Sequence, residues 1–227
     1  GGTDMAPYLQ AHLGKQVPLV GTVREPSLEA ILRLRPDLIL APADLPNTLY
    51  QKLSRIAPVI QPASSQWSGD WRSNLRLYAA ALDKSEQLEA ELSALEQEVE
   101  QLHAQLDGQS QTVSVVRWNP QGPIAMSSQL FAGQLLTQLG LDSTELAKQL
   151  VDRPHSDTLS LENLPLVDAD WLVLASLNAD GKQAMDEAMA QPVFQRLKAV
   201  QNGHVKVVDG QVWSSGAGPA DTSGPAP

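Results

Sequence analysis

Ser27-Leu28-Glu29-Ala30-Ile31-Leu32-Arg33-Leu34-Arg35-Pro36-Asp37-Leu38-Ile39-Leu40-Ala41 has a counterpart much later in the chain. There Ser160-Leu161-Glu162 opens a run that closes with Asp170-Trp171-Leu172-Val173-Leu174-Ala175. Ser27 to Ser160, Glu29 to Glu162 and Asp37 to Asp170 share one offset. That offset is far wider than the roughly 20–50-residue periods of solenoids. Each copy reads as a helix start, a short helix, a turn and a buried strand. Ser27 is placed as N-cap with Glu29 in the first turn, where its charge suits the helix dipole. Pro36 ends the first helix, and Pro165 cuts the second short. Asp37–Ala41 and Trp171–Ala175 have the unbroken apolar character of strands buried on both faces in parallel sheets. The expected fold is α/β, with two Rossmann-like lobes on one plan and a cleft between them.

The remaining segments extend that pattern. Residues 4–13 read as a helix, Pro18–Val20 as a short strand entry, Pro46–Ile56 as a helix and Pro58–Ile60 as a strand. Trp71–Leu106 contains neither Gly nor Pro. Leu88, Leu92, Leu95, Val99, Leu102 and Leu106 recur there at alternating steps of four and three, which predicts one long helix joining the lobes. The stripe is too short for a secure coiled coil, so it is read as packing along a globular body. Thr112–Trp118 is a strand with Pro123–Ser127 as its partner. Leu130–Leu139 is a helix closed by Gly140. Helices follow over Gly181–Ala190 and Val193–Val200. Asp209-Gly210 reads as the turn of a hairpin between His204–Val208 and Gln211–Trp213. The expected division is residues 1–70 for the N-terminal lobe, 71–107 for the joining helix and 108–218 for the C-terminal lobe. A Gly- and Pro-rich tail over 219–227 is read as disordered.

Composition excludes several functions. With 227 residues the chain can bury a real core, and 42% apolar content is ordinary for a globular protein. A formal net charge of −10 disfavours nucleic-acid binding, which needs a basic face. The absence of cysteine excludes disulfides, thiolate metal sites and a Cys nucleophile. His12, His103, His155 and His204 are scattered, so no metal site is expected. No phosphate loop precedes a helix, because Gly216-Ala217-Gly218-Pro219 lies in the tail. The chain starts at Gly1-Gly2-Thr3 with no signal peptide, and is read as a fragment or a mature form.

In open parallel sheets, ligands sit beyond the carboxyl ends of the strands. Arg24, after Val20, and Arg117, at the end of Thr112–Trp118, therefore fall at the cleft. Two guanidinium groups there suit an anionic ligand; the alternative is that each makes a surface ion pair. Trp67, Trp118 and Trp213 lie in loops or at strand ends and are candidate pocket walls, with core packing as the alternative. Trp71 and Trp171 read as core.

Val20-Gly21-Thr22-Val23-Arg24-Glu25-Pro26-Ser27-Leu28-Glu29 resembles the first-lobe motif of the helical-backbone substrate-binding proteins of ABC importers. Leu34-Arg35-Pro36-Asp37-Leu38-Ile39, the Trp71–Leu106 helix, Val116-Arg117-Trp118 and Val208-Asp209-Gly210-Gln211-Val212-Trp213 follow in that family's order. The resemblance spans residues 3–218. It implies a monomeric periplasmic or lipid-anchored binding protein that captures an iron(III)-siderophore or similar metal chelate, without catalysis or cofactor, for an ABC permease. Cobalamin or haem is the alternative ligand. Family members have a further strand, helix and strand before the position of Gly1, so the N-terminal lobe is expected to be incomplete. The resemblance implies ligand contacts at Arg24 and Trp213, and permease docking through Glu29 and Glu162. Glu25 competes for the first docking role but has no twin in the second copy. Two other classes stay open: a two-lobed α/β enzyme, and a scaffold pairing helices through the Leu88–Leu106 stripe.

Overall fold

A computed structural model describes residues 17–22, 25–62, 71–105 and 111–214. Contacts gather the chain into two compact α/β units, the first running to Leu88 and the second starting at Glu89.

In the first unit Ser27 Oγ accepts from the Ala30 N–H at 3.2 Å and opens helix α1, Leu28–Leu34. Arg35 closes it in the left-handed region at φ 48°, immediately before Pro36. Strand β1 (Ile39–Leu40) pairs in parallel with β2 (Val59–Ile60), and helix α2 (Asn47–Leu53) forms the crossover. The strand expected over Asp37–Ala41 is thus shorter than its apolar run, and it is not buried on both faces, because Leu40 remains 42% exposed. Pro18–Val20 forms no ladder. Val20 O instead accepts from the Ser27 N–H at 2.6 Å, beside a single bridge between Gly21 and Pro26. Residues 4–13 lie outside the described residues.

The Gly- and Pro-free stretch is two helices, α3 (Trp71–Ala81) and α4 (Ser85–Gln105), where the sequence predicts one. Asp83 breaks it by taking a left-handed conformation at φ 55°. Its N–H donates to Ala80 O at 3.3 Å, and that of Lys84 donates to Ala79 O at 2.8 Å. This pair of bonds satisfies the last carbonyls of α3 as a Schellman motif does, usually around Gly. Aspartate is among the few other residues that visit this region routinely. Tyr78, on α3, donates its hydroxyl to Ala41 O at 3.0 Å, tying α3 to the end of β1, and burial raises its pKa. On α4 the first part of the expected stripe is real: Leu92 is buried, Leu88, Leu95 and Val99 are half-buried, and the positions between them are exposed; Leu102 is 42% exposed, and Leu106 lies outside the described residues.

The second unit is built on β3, Gln111–Asn119. Strands β4 (Gly122–Ala125), β6 (Trp171–Ser176) and β7 (Val205–Asp209) complete the order β4-β3-β6-β7, and β5 (Leu141–Ser143) also pairs with β3. Only β4 runs antiparallel to its neighbour. Alternation sends Val116, Trp118, Leu172 and Leu174 to one face, against Leu164, Val167, Met185 and Phe194. Val113, Val115 and Val173 go to the other, with Ile124, Met126 and Leu136. Burying each of the larger side chains contributes roughly 1.5–3 kcal/mol, so both faces hold the sheet.

Helix α5 (Phe131–Gln138) ends before Gly140 as expected, and α6 (Glu145–Gln149) begins at Thr144, whose Oγ1 accepts from the Ala147 N–H at 3.4 Å. The second Ser-Leu-Glu copy departs from the first. Leu161–Val167 is a 3₁₀ helix that runs through Pro165, and Ser160 makes no capping bond with its side chain. Helix α7 (Ala179–Met189) matches expectation. The single helix expected over Val193–Val200 divides into α8 (Pro192–Gln195) and α9 (Lys198–Gln201), because the Asp168 carboxylate takes the Lys198 N–H at 2.8 Å and starts a new helix. No hairpin forms at Asp209-Gly210. Asp209 Oδ1 accepts from the Gln211 N–H at 2.7 Å and caps helix α10 (Gly210–Trp213), while β7 pairs in parallel with β6.

Asp170 sits at the amino edge of this sheet. Its Oδ2 accepts from the Thr112 N–H at 2.7 Å and the Thr112 hydroxyl at 2.9 Å, and Thr112 Oγ1 accepts from the Asp170 N–H at 2.9 Å. Lys198 Nζ donates to Oδ1. The Lys198 bond first, then the Thr112 bonds, lower the Asp170 pKa to about 2. A carboxylate depressed in this way stabilises the fold above its unfolded-state pKa and loses that contribution as pH falls through the folded value.

Two outcomes are expected. Asp83→Gly raises stability by up to about 1 kcal/mol, because glycine takes the left-handed region without strain; in a continuous helix it would lower stability by a similar amount, so the sign of the Tm change decides. Asp170→Asn costs about 1–2 kcal/mol at pH 7 in urea unfolding, and its gap from the parent protein narrows from about pH 4 down to about pH 2. A gap still undiminished at pH 2 would refute the assigned role of Asp170.

Candidate functional site

The carboxyl edge of the second unit's sheet brings together Arg117 on β3, Ala175 on β6 and Val208 on β7, which lie in one register row. Arg117 follows the alternation of Val113 and Val115, so it lies on the face opposite Trp118. Its Nε is buried and meets no acceptor. Burial lowers the pKa of the guanidinium, which nevertheless stays charged at neutral pH. Among the described residues no carboxylate pairs with it, so the surface ion-pair alternative is not what the structure shows for Arg117.

Next to this row α10 folds back on the sheet. A Cβ at Gly210 would stand 2.5 Å from Ser176 O, so only glycine lets the helix start this close to β6. Trp213 is half-buried and packs against the cluster of Val113, Val115 and Ile124. The Gln211 Oε1 atom is buried without a donor. The edge thus carries a partly desolvated guanidinium and an indole wall, and α10 carries an orphaned amide oxygen. It can bind a polar ligand; nothing in it resembles a nucleophile with its base.

The other expected site residues distribute unevenly. Trp118 is a core residue and not a pocket wall: it is 2% exposed and meets Phe194 edge-on, with ring centroids 6.2 Å apart. The physical reason is strand alternation, which turns it away from Arg117. Arg24 and Trp67 lie outside the described residues. Glu29 is exposed on α1, 3.7 Å from Arg33, with Leu32 and Leu34 exposed on the same short helix. Glu162 is exposed on the 3₁₀ helix beside exposed Leu161 and Leu166. It borders a depression of about 530 Å³ that Pro165, Val193 and Arg196 also line. Glu25 is exposed too.

Trp171 stacks on His204 at 4.2 Å and donates Nε1–H to Gln111 Oε1 at 2.8 Å, at the amino edge. Among the described residues, no group of three His, Cys, Asp or Glu could hold a metal ion, and no helix is long and apolar enough to cross a membrane. Gln211 was not singled out from the sequence, because nothing in a lone glutamine after Asp-Gly signals a buried, unpaired oxygen.

A mainly parallel sheet covered on both faces, with an unpaired cation and an indole at its carboxyl edge, defines an open-sheet α/β protein. The chain belongs to the periplasmic binding protein family, whose sequence pattern matches residues 2–212. It is 33% identical over 213 residues to the probable siderophore-binding lipoprotein YfiY of Bacillus subtilis, covering 90% of this chain and 65% of that one. It is 31% identical over 199 residues to the Fe(3+)-citrate-binding protein YfmC of the same organism, covering 86% and 60% respectively. The chain therefore spans somewhat under two thirds of the length of these relatives. Among solved structures, Staphylococcus aureus SirA superposes with a TM-score of 0.79 at 25% identity, covering 94% of this chain and 81% of that one. The α/β fold expected from the sequence is the fold of these binding proteins.

Proposed function

We propose that this protein captures an iron(III)-siderophore or a related ferric chelate outside the cytoplasm, in the periplasm or from a lipid anchor. It then delivers the chelate to the permease of an ABC importer. The observation that carries the reading is the half-buried guanidinium of Arg117, whose enclosed Nε has no partner, on the sheet face where Trp213 packs. A cation held out of water without a carboxylate is costly unless a ligand supplies the anion. Ferric chelates present a rim of carboxylate, hydroxamate or catecholate oxygens that guanidinium N–H groups bond well. Family membership and the siderophore and ferric citrate named for two relatives support the same class of ligand. Arg24 and Trp67 are proposed as further ligand contacts. The iron is cargo, the protein needs no cofactor, and it performs no catalysis; it works as a monomer.

Docking on the permease is assigned to Glu29 and Glu162. Both are exposed, each on a short helix carrying exposed leucines. An exposed acid on a surface that also carries exposed leucines suits a basic residue on a partner. The weak, solvent-screened contact of Glu29 with Arg33 is easily given up.

Calorimetric titration of the full-length protein with ferric citrate and a panel of ferric siderophores tests the binding reading. At least one saturable complex is expected, and Arg117→Ala weakens it by about 30-fold or more with no loss of Tm in the ligand-free protein. Silence across the panel would sink the proposal. For docking, a Glu29→Arg, Glu162→Arg double variant is expected to abolish iron uptake by cells while chelate affinity stays within about twofold. Uptake at the parental rate would contradict the assignment.

A further inference from the structure

The depression beside Glu162 lies between two packed elements of the second unit. The 3₁₀ helix Leu161–Val167 supplies Leu161, Glu162 and Pro165, while α8 and the two residues after it supply Val193, Arg196 and Leu197. Leu197 is buried and Val193 half-buried, so the floor is apolar, and Leu161 and Pro165 are exposed on one wall. At about 530 Å³ the space is of the size that takes up a whole ligand group, so a bulky side chain fits it. Asp168 also lines it, but its carboxylate is occupied. Its Oδ2 accepts from the Lys198 N–H at 2.8 Å, and its Oδ1 accepts from the Ala169 N–H at 3.1 Å. Glu162 and Arg196 remain. They stand on opposite elements, both exposed, and among the described residues neither forms an ion pair with the other or with a third side chain. In the first unit, by contrast, Glu29 already touches Arg33.

We infer, on the reading that Glu162 docks on the permease, that this depression is a socket for a mixed permease surface. An apolar permease side chain fills it, a permease base meets Glu162, and a permease acid meets Arg196. Protein interfaces place apolar anchors in pockets and polar groups at the rim, which is the layout here. An acid and a base across an apolar floor also fix orientation, since a partner turned half around would set like charges together. A purely basic surface would satisfy Glu162 but repel Arg196. Arg196 is thus a specificity-determining residue of the docking surface: it rejects a permease that offers bases alone.

The test measures uptake of radioactive iron by cells whose own copy is replaced with full-length parent or variant protein. The iron is supplied as the tightest-binding chelate of the titration panel. Arg196→Glu is expected to cut uptake by about tenfold or more, with chelate affinity within about twofold, which shows an intact fold. Arg196→Lys keeps the charge and stays within about threefold of the parent. Exchanging the charges, Glu162→Arg with Arg196→Glu, leaves uptake as low as Arg196→Glu alone, because each group then meets its like on the permease. Uptake restored by that exchange would mean that the two groups serve each other, and overturns the inference. Parental uptake by Arg196→Glu, while the Glu29→Arg, Glu162→Arg variant fails, also overturns it and leaves docking through the glutamates standing. Parental uptake by both variants removes both. A dimer of the parent in sedimentation, lost in Arg196→Glu, would give the socket to a second copy of this chain and count against the permease.

Discussion

The register between β3 and β6 is the constraint on which the second unit depends. It pairs Val113 with Trp171 and Arg117 with Ala175, and the reciprocal bonds between Thr112 and Asp170 fasten its open end. Side chains alternate across a sheet with period two, so a slip of one residue would exchange the faces. Arg117 would enter the cluster around Phe194, and Trp118 would be pushed to the face of Val113 and Val115. The aspartate at the amino edge therefore helps decide which of Arg117 and Trp118 faces the Val115 side at the carboxyl edge, a full strand length away.

The same alternation explains how a charged group can be buried without a partner. Strands β4 and β6 hold Arg117 on both sides through Ile124 and Ala175, and α10 closes over the edge through Gly210. None of these neighbours is acidic. Asp209, the acid nearest to α10 along the chain, is exposed and gives its carboxylate to the Gln211 N–H instead.

Much of this architecture was legible in the sequence, because apolar periodicity and proline positions act locally. The cap at Ser27, the crossover to β2 and the central strands around Val115 and Val173 follow from such signals. What escaped depends on tertiary contacts or on unusual backbone. Asp83 turns the chain left-handed without Gly or Pro to announce it. Asp209 caps a helix in a dipeptide that more often makes a hairpin turn. Trp118 differs from Arg117 only in parity along a strand, and parity is invisible until the register is known. Gln211 became visible only once burial was.

The lengths of the two ladders have a further consequence for motion. In the first unit β1 and β2 pair over two residues each, and Leu40 stays exposed. In the second, Val115 and Val116 sit on a strand bonded on both sides, within two apolar clusters. Short ladders open at low free energy, whereas a central strand opens only with its whole unit. Amide hydrogens at Ile39 and Ala41 should therefore trade with solvent deuterium long before those of Val115 and Val173. The halves of this molecule would then keep different time, with the Arg117 edge mounted on the slower one.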